Sequence, residues 1–555
     1  MKKASLFFFA LFELIILSFP IKSQSLLENL QIGGNFQSDS YYYLPDSKIE
    51  AEQAPEKILS NNYLYLTFST NYINVFFRFE SYQNPILGFD PRYQGSGIAY
   101  RSVSYRNDFL GVTVGNFYEQ FGSGMILRAY EERNLGIDNS IDGAKIEVNP
   151  TNGITLKGVI GKQRHFWSYS KAIIRGLDLE TSLNSLFPNA FEKFPLILGG
   201  SLVSRYQPDM DSKYKLPENV LAFATRFDLS LDWFSINFEY AKKINDPTTR
   251  NKYTYNNGDG INLSLSTFTE GFSVLLNLHR YDNIEFRTDR EAKGLELFLN
   301  YLPSATKQHQ YSLPAFYSPS TQGNGEVGIQ SEINYTLPKE ITLFFGGKFE
   351  TNIVAGFSLI KSIDTTRIDE FSYNSNFWGI GKELFYQDVF FEIRRRITKE
   401  FETKLAYIWQ IYNKDVMENE GSPLYGKVKN HTLIGEFILS FDKRNTLRLE
   451  LQHMWSKNDS TVAKEDKKNG NWLAILAEHS IAPNWYFSIL DQWNYGNAND
   501  NFKTHYIKAI VTYIQKATRI SFGFGRDAGG IVCIGGVCRQ VPISYGFSLS
   551  ITTSF

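Results

Sequence analysis

The sequence predicts an all-β protein: one large transmembrane antiparallel barrel of about 26 strands, within a range of roughly 22 to 30. Three features lead there. The last fifteen residues alternate without a break, with Val541, Ile543, Tyr545, Phe547, Leu549, Ile551, Thr553 and Phe555 on one parity and Pro542, Ser544, Gly546, Ser548, Ser550, Thr552 and Ser554 on the other. Successive strand side chains point to opposite faces, so one face is greasy and the other small and polar, as a wall between lipid and a wet lumen requires. Segments of about ten alternating residues recur along the whole chain. After residue 25 no run supplies the roughly 18 uncharged apolar residues of a membrane helix.

The N-terminus reads as a secretory signal peptide, residues 1–23: Lys2 and Lys3, an apolar run from Ala4 to Phe19, then small and polar residues at Ser23, Gln24 and Ser25. Glu13 inside the run is unusual, and a retained membrane helix is the alternative reading. Residues 24–555 show no composition shift or proline-rich linker and read as one barrel unit. With 45 Phe, 33 Tyr and 8 Trp beside a net charge of −1 and a mean hydropathy of −0.28, the chain is aromatic yet not greasy. Alternating strands with aromatic belts produce that combination, and no basic face points to nucleic acid.

Short-turn hairpins are expected for Tyr63–Thr70 with Ile73–Tyr82, Ala144–Val148 with Ile154–Val159, and Ile261–Ser266 with Phe272–Leu278. Val327–Tyr335 is expected to pair with Ile341–Phe349, and Leu384–Ile397 with Glu402–Ile411. Toward the end come Leu433–Phe441 with Thr446–Trp455, Trp472–His479 with Trp485–Gln492, and Thr504–Tyr513 with Thr518–Phe524. Long polar stretches separate the pairs, the short side being periplasmic by the outer-membrane pattern. The stretches 173–207 and 350–382 divide in more than one way. Charges sit opposite the greasy face: Leu447, Leu449 and Leu451 alternate with Arg448 and Glu450, and Val389, Phe391 and Ile393 with Glu392 and Arg394. A soluble sandwich also alternates, but its core face rarely carries so many interface-type Tyr and Trp.

One connection breaks the pattern. Segment 117–141 carries Arg128, Glu131, Glu132, Arg133 and Asp138, with glycines at 122, 124 and 136. Folded into the lumen, opposed charges of this kind form a pore constriction that discriminates solutes. Equally, they form a salt-bridge network that only fixes the loop. A barrel this wide is normally obstructed, and inward folding of 117–141 and 303–324, or another protein, is expected to fill it.

Cys533 and Cys538 are the only cysteines, and a disulfide pinning a short loop is the expected reading, unreacted thiols the alternative. No metal site is expected, because the seven histidines lack compact partners in sequence. No enzyme is expected either, since Gly122-Ser123-Gly124 lacks the Gly-x-Ser-x-Gly frame, and no cofactor is called for.

The run Gly115-Asn116-Phe117-Tyr118-Glu119-Gln120-Phe121-Gly122-Ser123-Gly124, with Arg128-Ala129-Tyr130-Glu131-Glu132-Arg133, Gly161-Lys162-Gln163-Arg164, Asn300-Tyr301-Leu302-Pro303 and Gly535-Gly536-Val537-Cys538-Arg539-Gln540, resembles a family of functionally uncharacterised outer-membrane barrel proteins of the Bacteroidota. The resemblance implies location and fold and no assigned activity. A terminal aromatic such as Phe555 is also similar to the signal read by outer-membrane insertion machinery. The expectation is therefore a bacterial outer-membrane protein surrounded by lipid, either a porin-like or solute-transport channel constricted by loop 117–141, or a non-conducting scaffold or accessory subunit bound to an outer-membrane partner.

Overall fold

The computed structural model describes residues 29–339, 349–419, 421–458 and 466–555. The expected signal peptide, 1–23, lies outside them, as does nearly all of the strand expected at Ile341–Phe349.

Among the described residues, twenty-four antiparallel strands form one closed sheet, to which the two-residue strand Ser168–Tyr169 is appended at the end of Ile154–His165. In chain order they are Gln31–Tyr43, Ile58–Ser69, Ile73–Asn84, Gly95–Arg106, Leu110–Phe117, Ile141–Thr151, Ile154–His165, Ile173–Ser182, Leu196–Tyr206, Asn219–Ser230, Phe234–Lys243 and Gly258–Thr269. The second half comprises Phe272–Asp282, Glu326–Leu337, Thr351–Arg367, Tyr373–Arg396, Phe401–Asn413, Lys427–Ser440, Asn445–Asn458, Trp472–Ile481, Trp485–Asn494, His505–Gln515, Thr518–Asp527 and Ser544–Ser554. Each pairs with its neighbours in the chain, and the first closes on the last from Asn35 opposite Ser554 to Tyr43 opposite Gly546. Closure satisfies every strand edge, which is what lets a sheet exist in lipid. At the seam the backbones of Gly34 and Phe555 exchange hydrogen bonds of 2.8 and 3.0 Å, and the Phe555 ring occupies the space a Cβ on Gly34 would need.

The count falls two below the central expectation for an identifiable reason. Glu326–Leu337 pairs directly with Thr351–Arg367, beginning at Leu337 opposite Thr351, rather than with a strand at Ile341–Phe349. The ambiguous stretch 350–382 belongs to the two arms of a single long hairpin, Thr351–Arg367 and Tyr373–Arg396, not to further strands. The other ambiguous stretch, 173–207, forms two strands joined by the one-turn helices Leu183–Leu186 and Pro188–Phe191. The remaining expected hairpins form as read.

Facing follows the two-residue period. Ile146, Val389, Phe391, Leu451, Phe547 and Leu549 are exposed on the outside, whereas Glu392, Glu450 and Gln452 are buried inside. The terminal alternation is shorter than the sequence suggests, however. The last strand starts at Ser544; Val541 belongs to a separate hairpin, Gly530–Ile534 with Val537–Val541, and Ile543 packs into the interior.

Where loop 117–141 leaves the wall, Gly115, Gly143 and Gly161 lie side by side on three adjacent strands. A Cβ on Gly143 would sit 2.0 Å from the Ile160 carbonyl oxygen and 2.6 Å from the Gly161 Cα. Backbones approach this closely only without side chains, so the row permits a sharp bend of the wall. Gly143→Ala is expected to cost about 1–3 kcal/mol, measured as a lower unfolding temperature of the purified barrel in the shift between boiled and unboiled gel bands. Gly200→Ala, whose Cβ would meet nothing closer than 4.0 Å, is the control and should leave that temperature unchanged.

Candidate functional site: the filled lumen

Segment 117–141 folds inward. Positive φ at Gly122 (55°) and Gly124 (97°) reverses the chain between the two-residue strands Glu119–Gln120 and Arg128–Ala129. The Ser123 amide donates to Glu239 on the wall at 2.7 Å, and a Cβ on Gly122 would fall 2.6 Å from that carboxylate. Phe121, Met125, Ile126 and Leu127 are 0% exposed, so this part of the lumen is dry. They pack with Val203, Val220, Ala222, Ala224 and Ala241 of the wall. The inner face here is thus small and apolar, not polar as the alternation elsewhere predicts. The signal lay in Val220-Leu221-Ala222-Phe223-Ala224: a strand apolar on both parities is covered on both faces.

A second segment, 283–324, locks onto the first. Asn300 donates to the carbonyls of Met125 and Ile284, each at 3.0 Å, and the Arg128 amide donates to the Leu299 carbonyl at 2.8 Å. Further on, this segment crosses toward the opposite wall. His309 Nε2 lies 2.7 Å from buried Asp388, the Tyr311 hydroxyl donates to Glu436 at 3.1 Å, and the Leu313 amide donates to Gln452 at 3.0 Å. The hairpin at 530–541 descends onto the same segment: Tyr301 donates its hydroxyl to the Gly535 carbonyl (2.9 Å), the Thr321 amide donates to Gly536 (2.9 Å), and Gln308 donates to Cys533 (2.6 Å). Cys533 and Cys538 are disulfide-bonded within that hairpin.

The five charged residues singled out in 117–141 occupy three different settings. Asp138, Glu131 and Arg133 join a network with the wall. Arg78, on Ile73–Asn84, pairs with Glu80 at 2.7 Å, Glu131 at 3.1 Å and Asp138; Arg164 pairs with Glu80 at 2.7 Å and Asp138 at 2.5 Å; and Arg133 pairs with Glu131 at 2.9 Å. Arg78, Glu80 and Arg164 are nearly inaccessible to solvent. Removing one partner from such a buried set leaves an uncompensated charge, which costs about 3–5 kcal/mol. Arg128 instead lies between the rings of Tyr130 and Tyr301, 4.6 and 4.0 Å from their centroids. Glu132 accepts from the Asn134 amide and caps a short turn.

Charge facing open space lies elsewhere, on strands the sequence singled out only for alternation. Arg448 reaches Glu436 (2.9 Å), Glu450 (2.5 Å) and Glu478 (2.5 Å); Arg394 reaches Glu402 (2.5 Å); Lys404 reaches Glu392 (3.2 Å). Several of them line a cavity of 320 Å³ closed on one side by Gln310 and Tyr311. At the long-loop end a much larger cavity of 1720 Å³ opens among 250–252, 283–324, 414–425, 466–472 and 528–543. Among the described residues no group of three or more His, Cys, Asp or Glu is placed to hold a metal ion.

These features define an outer-membrane-type β-barrel whose lumen is occupied by its own connections. The chain belongs to DUF6029, a family of unknown function, whose model matches residues 1–555. No curated protein matches it. Among solved structures it is similar to the siderophore receptor PirA from Pseudomonas aeruginosa, with 8% identity, 95% of this chain and 80% of that one covered, and a TM-score of 0.42. The P pilus usher PapC translocation pore matches with 10% identity, 94% and 99% coverage and a TM-score of 0.42. A BenF-like porin from Pseudomonas fluorescens Pf-5 matches with 11% identity, 78% and 100% coverage and a TM-score of 0.37.

Burial pushes the Glu131 carboxyl up to about 7, with Arg78 drawing it down and Asp138 and Glu80 opposing. Burial also raises Asp138, but Arg78 and Arg164 outweigh it and hold it at about 2. A carboxyl whose folded value lies above the unfolded one, about 4.3 for Glu, stabilises the fold at low pH and loses that contribution as pH rises to the folded value. The depressed Asp138 does the reverse, losing its contribution only as pH falls from about 4 towards 2. Of the two, only Glu131 changes between about pH 4.3 and pH 7, and its contribution to the wild-type melting temperature is expected to fall across that interval. Glu131→Gln should flatten the fall, as followed by tryptophan fluorescence; an equal slope in both proteins contradicts this assignment.

Proposed function

We propose that this chain is a solute-transport barrel of the outer membrane of a Bacteroidota bacterium, exported by a signal peptide at 1–23 and inserted by machinery that reads Phe555. Segment 117–141 narrows the lumen, segment 283–324 closes it, and the role is not enzymatic. The observation that carries this reading is the arrangement of charged, open cavities of 1720 and 320 Å³ on either side of a closure built from connections rather than from wall strands. A static wall needs no such spaces, whereas a gated route needs both.

In this reading the charges of 117–141 hold the constriction in place, and solutes meet Lys404, Arg448, Glu436 and Glu450. Opposed charges across a narrow passage are what pores use for selection. A second reading, a non-conducting scaffold that binds an outer-membrane partner, draws support from the complete burial of Phe121, Met125, Ile126 and Leu127, which seals one side of the lumen.

Planar-bilayer recording of the wild type beside variants lacking 303–324 or 118–140 separates the two. Transport predicts discrete conductance in the wild type, several-fold larger without 303–324, and a shift toward cations in Lys404→Ala. Silence of all three well-inserted proteins, together with a stoichiometric protein partner isolated from native membranes, favours the scaffold.

A further inference from the structure

The 1720 Å³ cavity holds two cations that make no direct ion pair among the described residues. Arg539, on the strand Val537–Val541, rests its guanidinium over the Phe89 ring at 4.4 Å, and its Nε and Nη1 are buried without a hydrogen-bond partner. Among the described residues no carboxylate comes within ion-pair distance of it. Lys468 enters the same cavity beside Phe316, 4.4 Å from the ring centroid, and its ammonium likewise makes no ion pair among the described residues. Its Nζ lies against Gly530, on the other strand of that hairpin, in the space a Cβ there would occupy. Of the carboxylates lining the cavity, Asp466 and Glu418 pair with Lys414 at 2.6 and 3.5 Å and reach Lys468 only at longer range, Glu285 pairs with Arg287 at 2.7 Å and Glu50 with Lys467, and Glu52 and Glu383 lie away from ion-pair distance of Arg539 and Lys468.

A buried cation without a counter-charge is expensive, and the cost disappears when an anion is supplied. Guanidinium presents a planar fork matched to carboxylate or phosphate, and an ammonium adds a point charge. We propose that this cavity is a binding site for an anionic solute carrying carboxylate or phosphate groups, captured by Arg539 and Lys468 with Phe89 and Phe316 flanking the two cations. The volume exceeds that of most small-molecule sites, which run to about 1,000 Å³, so a solute of oligomer size is accommodated. This deepens the transport reading by giving the solute a charge, and it stands on that reading only for its biological use.

Isothermal titration of the full-length protein in neutral detergent, using inorganic phosphate and citrate as probes, tests the site without any current being measured. Saturable binding of at least one probe is expected; phosphate alone marks a phosphorylated solute, citrate alone a carboxylated one. Arg539→Gln and Lys468→Gln should each weaken binding by about tenfold or more. Arg539→Lys should recover part of the loss, and Lys443→Gln, in the short turn between Lys427–Ser440 and Asn445–Asn458 and away from the cavity, should bind as wild type. Unboiled gel migration identifies any variant that has lost the barrel. The proposal is overturned by absence of binding to both probes, or by wild-type affinity in folded Arg539→Gln. Binding with a silent bilayer leaves the site standing and removes the channel; conductance without binding does the opposite.

Discussion

A sheet of 24 strands closed on itself in lipid encloses more space than its own side chains can fill. Whatever enters that space meets a wall whose inner parity must suit it, residue by residue. The wall and its contents therefore specify one another, and most of the unusual chemistry in this protein follows from that reciprocity. Where segment 117–141 lies against the wall, the inner residues are Val203, Val220, Ala222, Ala224 and Ala241, small enough to admit Phe121 and Met125. Where the contents are polar, the inner residues are Asp388, Gln410, Glu436 and Gln452, each meeting a backbone or side-chain group of 309–314.

The two halves of the lumen are consequently built on different physics. The apolar half loses water completely and owes its cohesion to burial, so its geometry tolerates little change in volume. The polar half is held by directional hydrogen bonds and ion pairs among groups that are themselves buried, Asp388, Gln410 and Gln452 included, so each contact is costly to leave unmade. Segment 283–324 belongs to both, clamped at Asn300 in the first and anchored through His309, Tyr311 and Leu313 in the second. The disulfide-bonded hairpin rests on this same segment from the long-loop side, so whatever occupies the outer cavity contacts the closure directly.

Hairpin pairing and facing were readable from the chain because both depend on a two-residue rhythm and on turn residues, which are local. The two errors in the wall also have local causes. Ile341–Phe349 alternates as well as its neighbours do, and only the register of Leu337 against Thr351 shows which segment takes the partner's place. Val541 and Ile543 continue the terminal rhythm, yet Ile543 points inward, because the hairpin at 530–541 turns the chain before Ser544. Within the candidate site, the unusual composition of 117–141 was visible but its meaning was not. Arg78, Glu80 and Arg164 complete the network around Asp138, and their separations of 60, 58 and 26 residues from Asp138 give no local signal.

By itself the sequence determined that this chain crosses a membrane as an alternating barrel, because side-chain parity is a property of consecutive residues and of the solvent on each face. It also determined that segment 117–141 departs from the wall, since glycine and charge concentrate there. Tertiary structure alone decided which charges are buried as structural pairs and which face open space. That outcome turns on distances of a few ångströms between strands far apart in the chain, where the field around Arg78 or Arg539 is set by neighbours that no local pattern names.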